Sequence, residues 1–213
     1  MARARLLIAD DHALVVEAFK KLLEPKFEII GVASDGRELL QLAPVTKPDV
    51  ILLDLGMPLL NGFDAGRKLK KLLPGAKIVV VTMNDDGETA HAALCAWASG
   101  YVIKSSAGAE LRRAIADAIG GRKYVSPQIA NLQAKRFVYD PRMPQARPLT
   151  PRKRQVLQLL AEGRTMKEAA AALQLAPRTV AFHKYQLMEE HGLKTYADLV
   201  RFAMKQHVVP PQN

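Results

Sequence analysis

Over the first 120 residues, short apolar runs alternate with segments of helical spacing, and this alternation restricts the fold more than any other feature. The runs lie at Arg5–Asp10, Phe27–Val32, Asp49–Leu53, Lys77–Thr82 and Tyr101–Ile103. Each is short and rich in Val, Ile or Leu, as strands buried on both faces of a parallel sheet are. Between them, residues 13–24, 36–43, 63–73, 87–98 and 107–119 repeat apolar side chains at intervals of three and four. Five β-α units in succession predict an α/β domain, a doubly wound five-stranded parallel sheet with right-handed crossovers. In that architecture reactive side chains collect on loops at the carboxyl ends of the strands.

The pattern stops near Gly120. Residues 122–147 contain Pro127, Pro141 and Pro144 among scattered Arg and Lys, and read as a linker with a short helix near 127–137. Residues 150–207 hold no strand-like run. They read as an all-α unit of four helices, 150–162, 166–173, 177–190 and 195–206, with Gly163 and Gly192 at helix stops. The expected organisation is a first domain over 1–121, a linker over 122–147 and a second domain over 148–213. Charge divides along the same line. Residues 1–121 carry 15 Lys and Arg against 15 Asp and Glu, whereas residues 122–213 carry 16 against 6. All of the +10 net charge therefore falls in the second part, which points to a polyanionic partner, nucleic acid ahead of a membrane surface. No segment approaches the ~20 apolar residues of a membrane span, and the first ten residues lack the apolar core and cleavage site of a signal peptide. The single cysteine, Cys95, allows no internal disulfide and reads as a packing residue in a cytoplasmic protein.

Acids stand at two of the predicted strand ends: Asp10 and Asp11 after the first, Asp54 after the third. If these strands are neighbours, three carboxylates converge, an arrangement that needs a hard cation such as Mg²⁺ to offset the repulsion. The fourth run ends in Thr82 and the fifth leads to Lys104. Carboxylates, a metal, a hydroxyl and an ammonium together suit a transferred phosphoryl group. His12 reads as an exposed residue of the first helical turn ahead of a metal ligand.

Asp10-Asp11-His12, the stretch from Leu53 to Gly62 (Leu-Asp-Leu-Gly-Met-Pro-Leu-Leu-Asn-Gly), Val81-Thr82 and Gly100-Tyr101-Val102-Ile103-Lys104 resemble the aspartate receiver of two-component response regulators over residues 5 to about 120. The resemblance implies a flavodoxin-like fold, Asp54 as phosphoacceptor, and Mg²⁺ held by Asp10, Asp11, Asp54 and the Gly56 carbonyl. Thr82 and Lys104 would contact the phosphoryl group, and Tyr101 would turn inward as Thr82 moves. Gly56 stands where the family often has Asn, Ser or Thr, and Met83 is larger than the small residue usual after the threonine. Both bear on phosphoryl lifetime.

In the basic part, Thr150 is placed to cap a helix that begins with Pro151. A short helix, the turn Gln174-Leu175-Ala176 and a longer helix from Pro177 make a helix-turn-helix. Around Val180 and Leu187, the longer helix is expected to present Arg178, Thr179, Phe182, His183, Lys184 and Gln186 to a major groove. Leu149-Thr150-Pro151-Arg152, Val156-Leu157, Ala161-Glu162-Gly163, Lys167-Glu168, Ala170, Thr179-Val180, His183-Lys184 and Leu193 resemble the LuxR-type DNA-binding domain of NarL/FixJ-class response regulators over about 148–208. That resemblance makes 177–190 the recognition helix and 195–206 a dimerisation element. Departures are Lys153 and Gln155 in place of Glu, Ala176 where Ser is common, Ala181 where Lys is common, and Phe182, which either touches a thymine methyl or packs.

The reading that unites both parts is a response regulator transcription factor. A sensor histidine kinase phosphorylates Asp54, and the modification controls homodimerisation and binding to double-stranded DNA. The alternative is a phosphorylation-independent DNA-binding protein whose receiver does not cycle. An aspartyl-phosphate enzyme is disfavoured, because Leu55-Gly56-Met57 follow Asp54 with no acid before Asp64.

Overall fold

The computed structural model describes residues 3–83, 85, 87–136, 149–206 and 208–209. The chain divides into two compact units, residues 1–142 and 143–213. In the first, β1 (Arg5–Ala9), β2 (Glu28–Ala33), β3 (Val50–Leu53), β4 (Lys77–Thr82) and β5 (Gly100–Ile103) alternate with α1 (Ala13–Leu23), α2 (Gly36–Thr46), α3 (Gly62–Leu72), α4 (Gly87–Ala96) and α5 (Ala107–Ile119). A short β6 (Tyr124–Val125) and α6 (Pro127–Arg136) follow. The sheet is parallel throughout, in the order β2-β1-β3-β4-β5-β6.

The five-stranded expectation is therefore corrected to six strands. β6 pairs Tyr124 with Gly100 and Val125 with Tyr101. Two residues display no periodicity, and Gly121 and Pro127 on either side carry the composition of a linker. Immediately after β6, the Ser126 amide donates to the Tyr101 carbonyl at 2.9 Å and the Ser126 hydroxyl accepts from the Ile103 amide at 3.2 Å. Residues 124–136 thus build onto the first unit, and Ile129 of α6 is fully buried in the same cluster as Tyr101 and Trp97. The linker expectation for 137–147 lies outside the described residues.

Each face of the sheet has its own apolar cluster: one from Leu7, Ile51, Leu53, Ile78 and Val80 under α2, α3 and α4, the other from Leu6, Ile8, Leu52, Val79 and Val81 under α1 and α5. Alternating residues of one strand serve opposite faces, which is why the strand sequences are continuously apolar.

The second unit is all-α: α7 (Pro151–Ala161), α8 (Met166–Leu173), α9 (Pro177–Glu190) and α10 (Tyr196–Lys205). Thr150 caps α7 by accepting from the Lys153 amide, with Pro151 in the first turn. Reciprocal capping boxes, Thr165 with Glu168 and Thr195 with Asp198, start α8 and α10. Gly163 and Gly192 adopt φ of 85° and 64° just past helix ends, the left-handed region that glycine enters at no steric cost. Val156, Leu160, Ala169, Val180, Leu187 and Leu199 form the core.

Gly62 packs directly behind the Asp54 loop. A Cβ there would lie 1.8 Å from the Asp54 carbonyl oxygen and 2.8 Å from the Leu55 Cα. Gly62→Ala is expected to destabilise the first unit by about 3 kcal/mol through forced displacement of this loop. The check is urea unfolding followed through Trp97, the one tryptophan of the chain, which is buried in that unit. An unchanged midpoint would show that the loop yields freely.

Candidate functional site

Adjacent parallel strands bring the acids together. β1 and β3 pair Ala9 with Leu53, so the next residue on each strand, Asp10 and Asp54, opens side by side at the carboxyl edge. The ladder continues through both residues: the Asp10 amide donates to the Ala33 carbonyl at 3.0 Å and the Asp54 amide to the Ala9 carbonyl at 2.9 Å. Both acids are 4% exposed, whereas Asp11 beside them faces solvent. Oxygen or nitrogen atoms of Asp10, Asp11, His12 and Asp54 lie within 4.8 Å of one another.

Lys104 reaches in from the end of β5. Its Nζ stands 2.8 Å from Asp10 Oδ2 and 2.7 Å from Asp54 Oδ2, with a side chain only 7% exposed. Burial alone would push the ammonium down, but the Asp54 and Asp10 carboxylates outweigh it and hold Lys104 above the ordinary lysine range. Asp54 Oδ1 accepts from the Gly56 amide at 3.2 Å. Thr82, at the end of β4 and opposite Ile103 in the register, is buried, and Tyr101 is completely buried. His12 is exposed, as expected, with Nδ1 2.9 Å from Asp11 Oδ1 and 3.3 Å from Asp10 Oδ1. Met83, two-thirds exposed, points away from the core.

The donor set fits a hard divalent cation. Three carboxylates face a single ammonium, which leaves an excess of negative charge. Asp10 Oδ2, fully buried, has the Lys104 ammonium at 2.8 Å as its partner, and the other carboxylate oxygens of the cluster are the hard donors that such a cation takes.

In the second unit the structure sorts the residues expected on the DNA-facing side of α9. Arg178 and Phe182 are exposed, while Thr179, His183, Lys184 and Gln186 are half-buried. His183 is drawn inward because it lies three residues after Val180 and four before Leu187, beside the buried row. Its Nδ1 is buried without a partner, and burial followed by the nearby Arg152 and Lys153 lowers its pKa. Tyr185, which residue chemistry alone did not single out, is 60% exposed, and Lys184 Nζ lies 5.3 Å from its ring centre. Lys153 is nearly buried and pairs with Glu190 at 2.5 Å, so its charge is spent inside the unit.

Residues 6–116 match the response regulator receiver domain, and residues 147–203 match the LuxR family of bacterial regulatory proteins. The chain belongs to the LuxR-type response regulators. It is 32% identical over 209 residues to the transcriptional regulatory protein MctR of Rhizobium johnstonii, covering 97% of this chain and 96% of that one. It is 33% identical over 214 residues to the oxygen regulatory protein NreC of Staphylococcus aureus, covering 96% and 99%. Among solved structures, the RcsB response regulator of Salmonella typhimurium aligns with a TM-score of 0.71 at 26% identity, covering 97% of this chain and 99% of that one. The family comprises transcription factors, not enzymes, and no helix among the described residues is long and apolar enough to cross a membrane.

Asp11 offers a test of the cation site, because its exposed carboxylate supports no core contact. Asp11→Asn is expected to weaken Mg²⁺ binding roughly tenfold in calorimetric titration while leaving the unfolding midpoint unchanged. Equal affinity in the variant would remove Asp11 from the site.

Proposed function

We propose that Asp54 is the phosphoacceptor of a cytoplasmic transcription factor whose DNA affinity is set by a sensor histidine kinase. The observation that carries the reading is the Lys104 ammonium bridging Asp10 and Asp54 at 2.8 and 2.7 Å. It forms a ready counter-charge beside a nucleophilic carboxylate at a strand end. An Asp54 oxygen attacks the phosphorus of a phosphohistidine on the kinase. The new O–P bond forms as the P–N bond breaks, and the released imidazole takes up a proton. Asp10, Asp11, Asp54 and the Gly56 carbonyl would hold Mg²⁺, which when bound neutralises part of the charge on the equatorial oxygens. Lys104 supplies a second positive charge to the same oxygens, and the Thr82 hydroxyl a hydrogen bond. The burial of Tyr101 supports its reading as the aromatic that turns inward when Thr82 moves.

The added charge of about −1.5 to −2 biases the receiver surface, and homodimers carrying two copies of α9 bind paired half-sites on double-stranded DNA. RcsB, to which the chain is similar, has been solved as dimers bound to DNA. Arg178, Thr179, Phe182, Lys184 and Gln186 of α9 are the proposed DNA contacts. His183, whose Nδ1 is turned inward, would meet DNA only through the rest of its ring.

Incubated with Mg²⁺ and acetyl phosphate, the protein is expected to gain about 80 Da, one phosphoryl group, and to bind DNA more tightly. Asp54→Asn should do neither, with intact mass and gel shift as the measurements. If no mass is gained and beryllofluoride leaves the protein unchanged, the receiver does not cycle and DNA binding is independent of phosphorylation.

Lys184→Ala is expected to weaken binding to all duplexes alike and to reduce the slope of log affinity against log salt by about 0.9, the effect of one lost phosphate contact. An unaltered slope would confine Lys184 to its contact with the Tyr185 ring.

A further inference from the structure

We propose that Phe182 and Tyr185 form an apolar reading stripe that selects thymine methyl groups in each operator half-site. This rests on the DNA-binding reading above and goes beyond it by naming what the helix recognises. Arg178, Phe182 and Tyr185 stand at i, i+4 and i+7 of α9 and therefore share one narrow face. That face lies opposite Val180 and Leu187, which are 0% and 1% exposed.

The two rings are 62% and 60% exposed, so they do not serve the core. Their aromatic and cation contacts are to their own helix neighbours, Phe182 edge-on to His183 and Tyr185 under Lys184. Ring surface left in water on a small unit marks a place where a partner covers it. The partner must accept cations as well, since Arg178 heads the stripe and the whole net charge of +10 lies in residues 122–213. Duplex DNA satisfies both demands at once. Its major groove is lined by phosphates, and the apolar group it presents is the C5 methyl of thymine.

The dimensions fix the register. Arg178 and Tyr185 are separated by a rise of about 10 Å along the helix, or about three base pairs at 3.4 Å each. Phe182 and Tyr185 differ by about 4.5 Å, so the two methyls they touch belong to adjacent or next-adjacent pairs. Glu189, four residues further on the same face, is exposed and anionic, and it ends the contact row. The small side chain of Ala181 beside Phe182 leaves the ring free to approach the groove floor.

The test begins with selection of a half-site pair by the full-length phosphorylated protein. Each thymine of the selected duplex is then replaced by uracil, which removes the methyl alone, and affinity is read by fluorescence anisotropy at fixed salt. The wild type is expected to lose about fourfold at one or two neighbouring positions, the effect of one buried methyl. Phe182→Ala should abolish the loss at one position and Tyr185→Ala at the other, while Tyr185→Phe retains it and the salt slope stays constant. Uracil tolerated at every position, or losses that persist in both alanine variants, would overturn the proposal. So would a Phe182→Ala change in the sedimentation of the free protein with uracil discrimination intact, since the stripe would then join two copies. Absence of any sequence-selective binding would instead overturn the DNA-binding reading on which the proposal stands.

Discussion

The parallel pairing of β1 with β3 is the constraint on which the first unit depends. It fixes Asp10 and Asp54 as immediate neighbours, both buried and both acidic, at a place where the sheet ends and side chains can turn toward a ligand. Two buried carboxylates so close are tolerated because Lys104 enters between them from β5. The sheet order supplies that lysine, since β4 and β5 follow β3 in space. Removing Lys104 would leave two uncompensated buried charges, a far heavier penalty than the loss of one exposed ion pair. The repulsion that remains among the clustered carboxylates is of the kind a hard cation would offset.

The surrounding loops are shaped to keep that pocket in place. Asn61 caps α3 through the Asp64 amide at 2.9 Å, and Gly62 allows α3 to start against the Asp54 carbonyl where any side chain would collide. Leu59 accepts a left-handed φ of 63° in the same loop, a conformation that costs a non-glycine residue on the order of 1 kcal/mol. The sequence from Leu53 to Gly62 is therefore a continuous fitting around Asp54 rather than a connector.

Much of this was legible in the sequence, for reasons that differ from residue to residue. The first five strands announced themselves because each is apolar on both faces, and Asp10, Asp54, Thr82 and Lys104 because each ends or follows such a run. Helix starts at Thr150 and Pro151, and stops at Gly163 and Gly192, follow from capping chemistry that acts within a few residues. β6 escaped because two residues carry no period and its stability comes from β5, a partner distant in sequence. On α9 side-chain chemistry and helical angle disagree at two positions. His183 is polar yet lies beside Val180 and Leu187, so it turns inward, while Tyr185 is bulky yet lies in line with Arg178 and Phe182, so it turns out. Lys153 likewise counts toward the net charge but is neutralised by Glu190.

Ser126 shows how the unforeseen strand bears on the site. It is fully buried, and it joins three elements at once. Its amide meets the Tyr101 carbonyl, its hydroxyl accepts from the Ile103 amide, and the same hydroxyl donates to Glu110 of α5. Ile103 immediately precedes Lys104, which pairs with Asp54 at 2.7 Å. A shift of this strand end cannot leave Ser126 behind without stranding buried donors and acceptors, each worth about 1–3 kcal/mol when unpaired. Since Ser126 directly precedes α6 and accepts its first backbone bond from the Ala130 amide at 3.0 Å, α6 must move with it. The end of β5, β6 and the start of α6 are therefore tied together through the one residue Ser126.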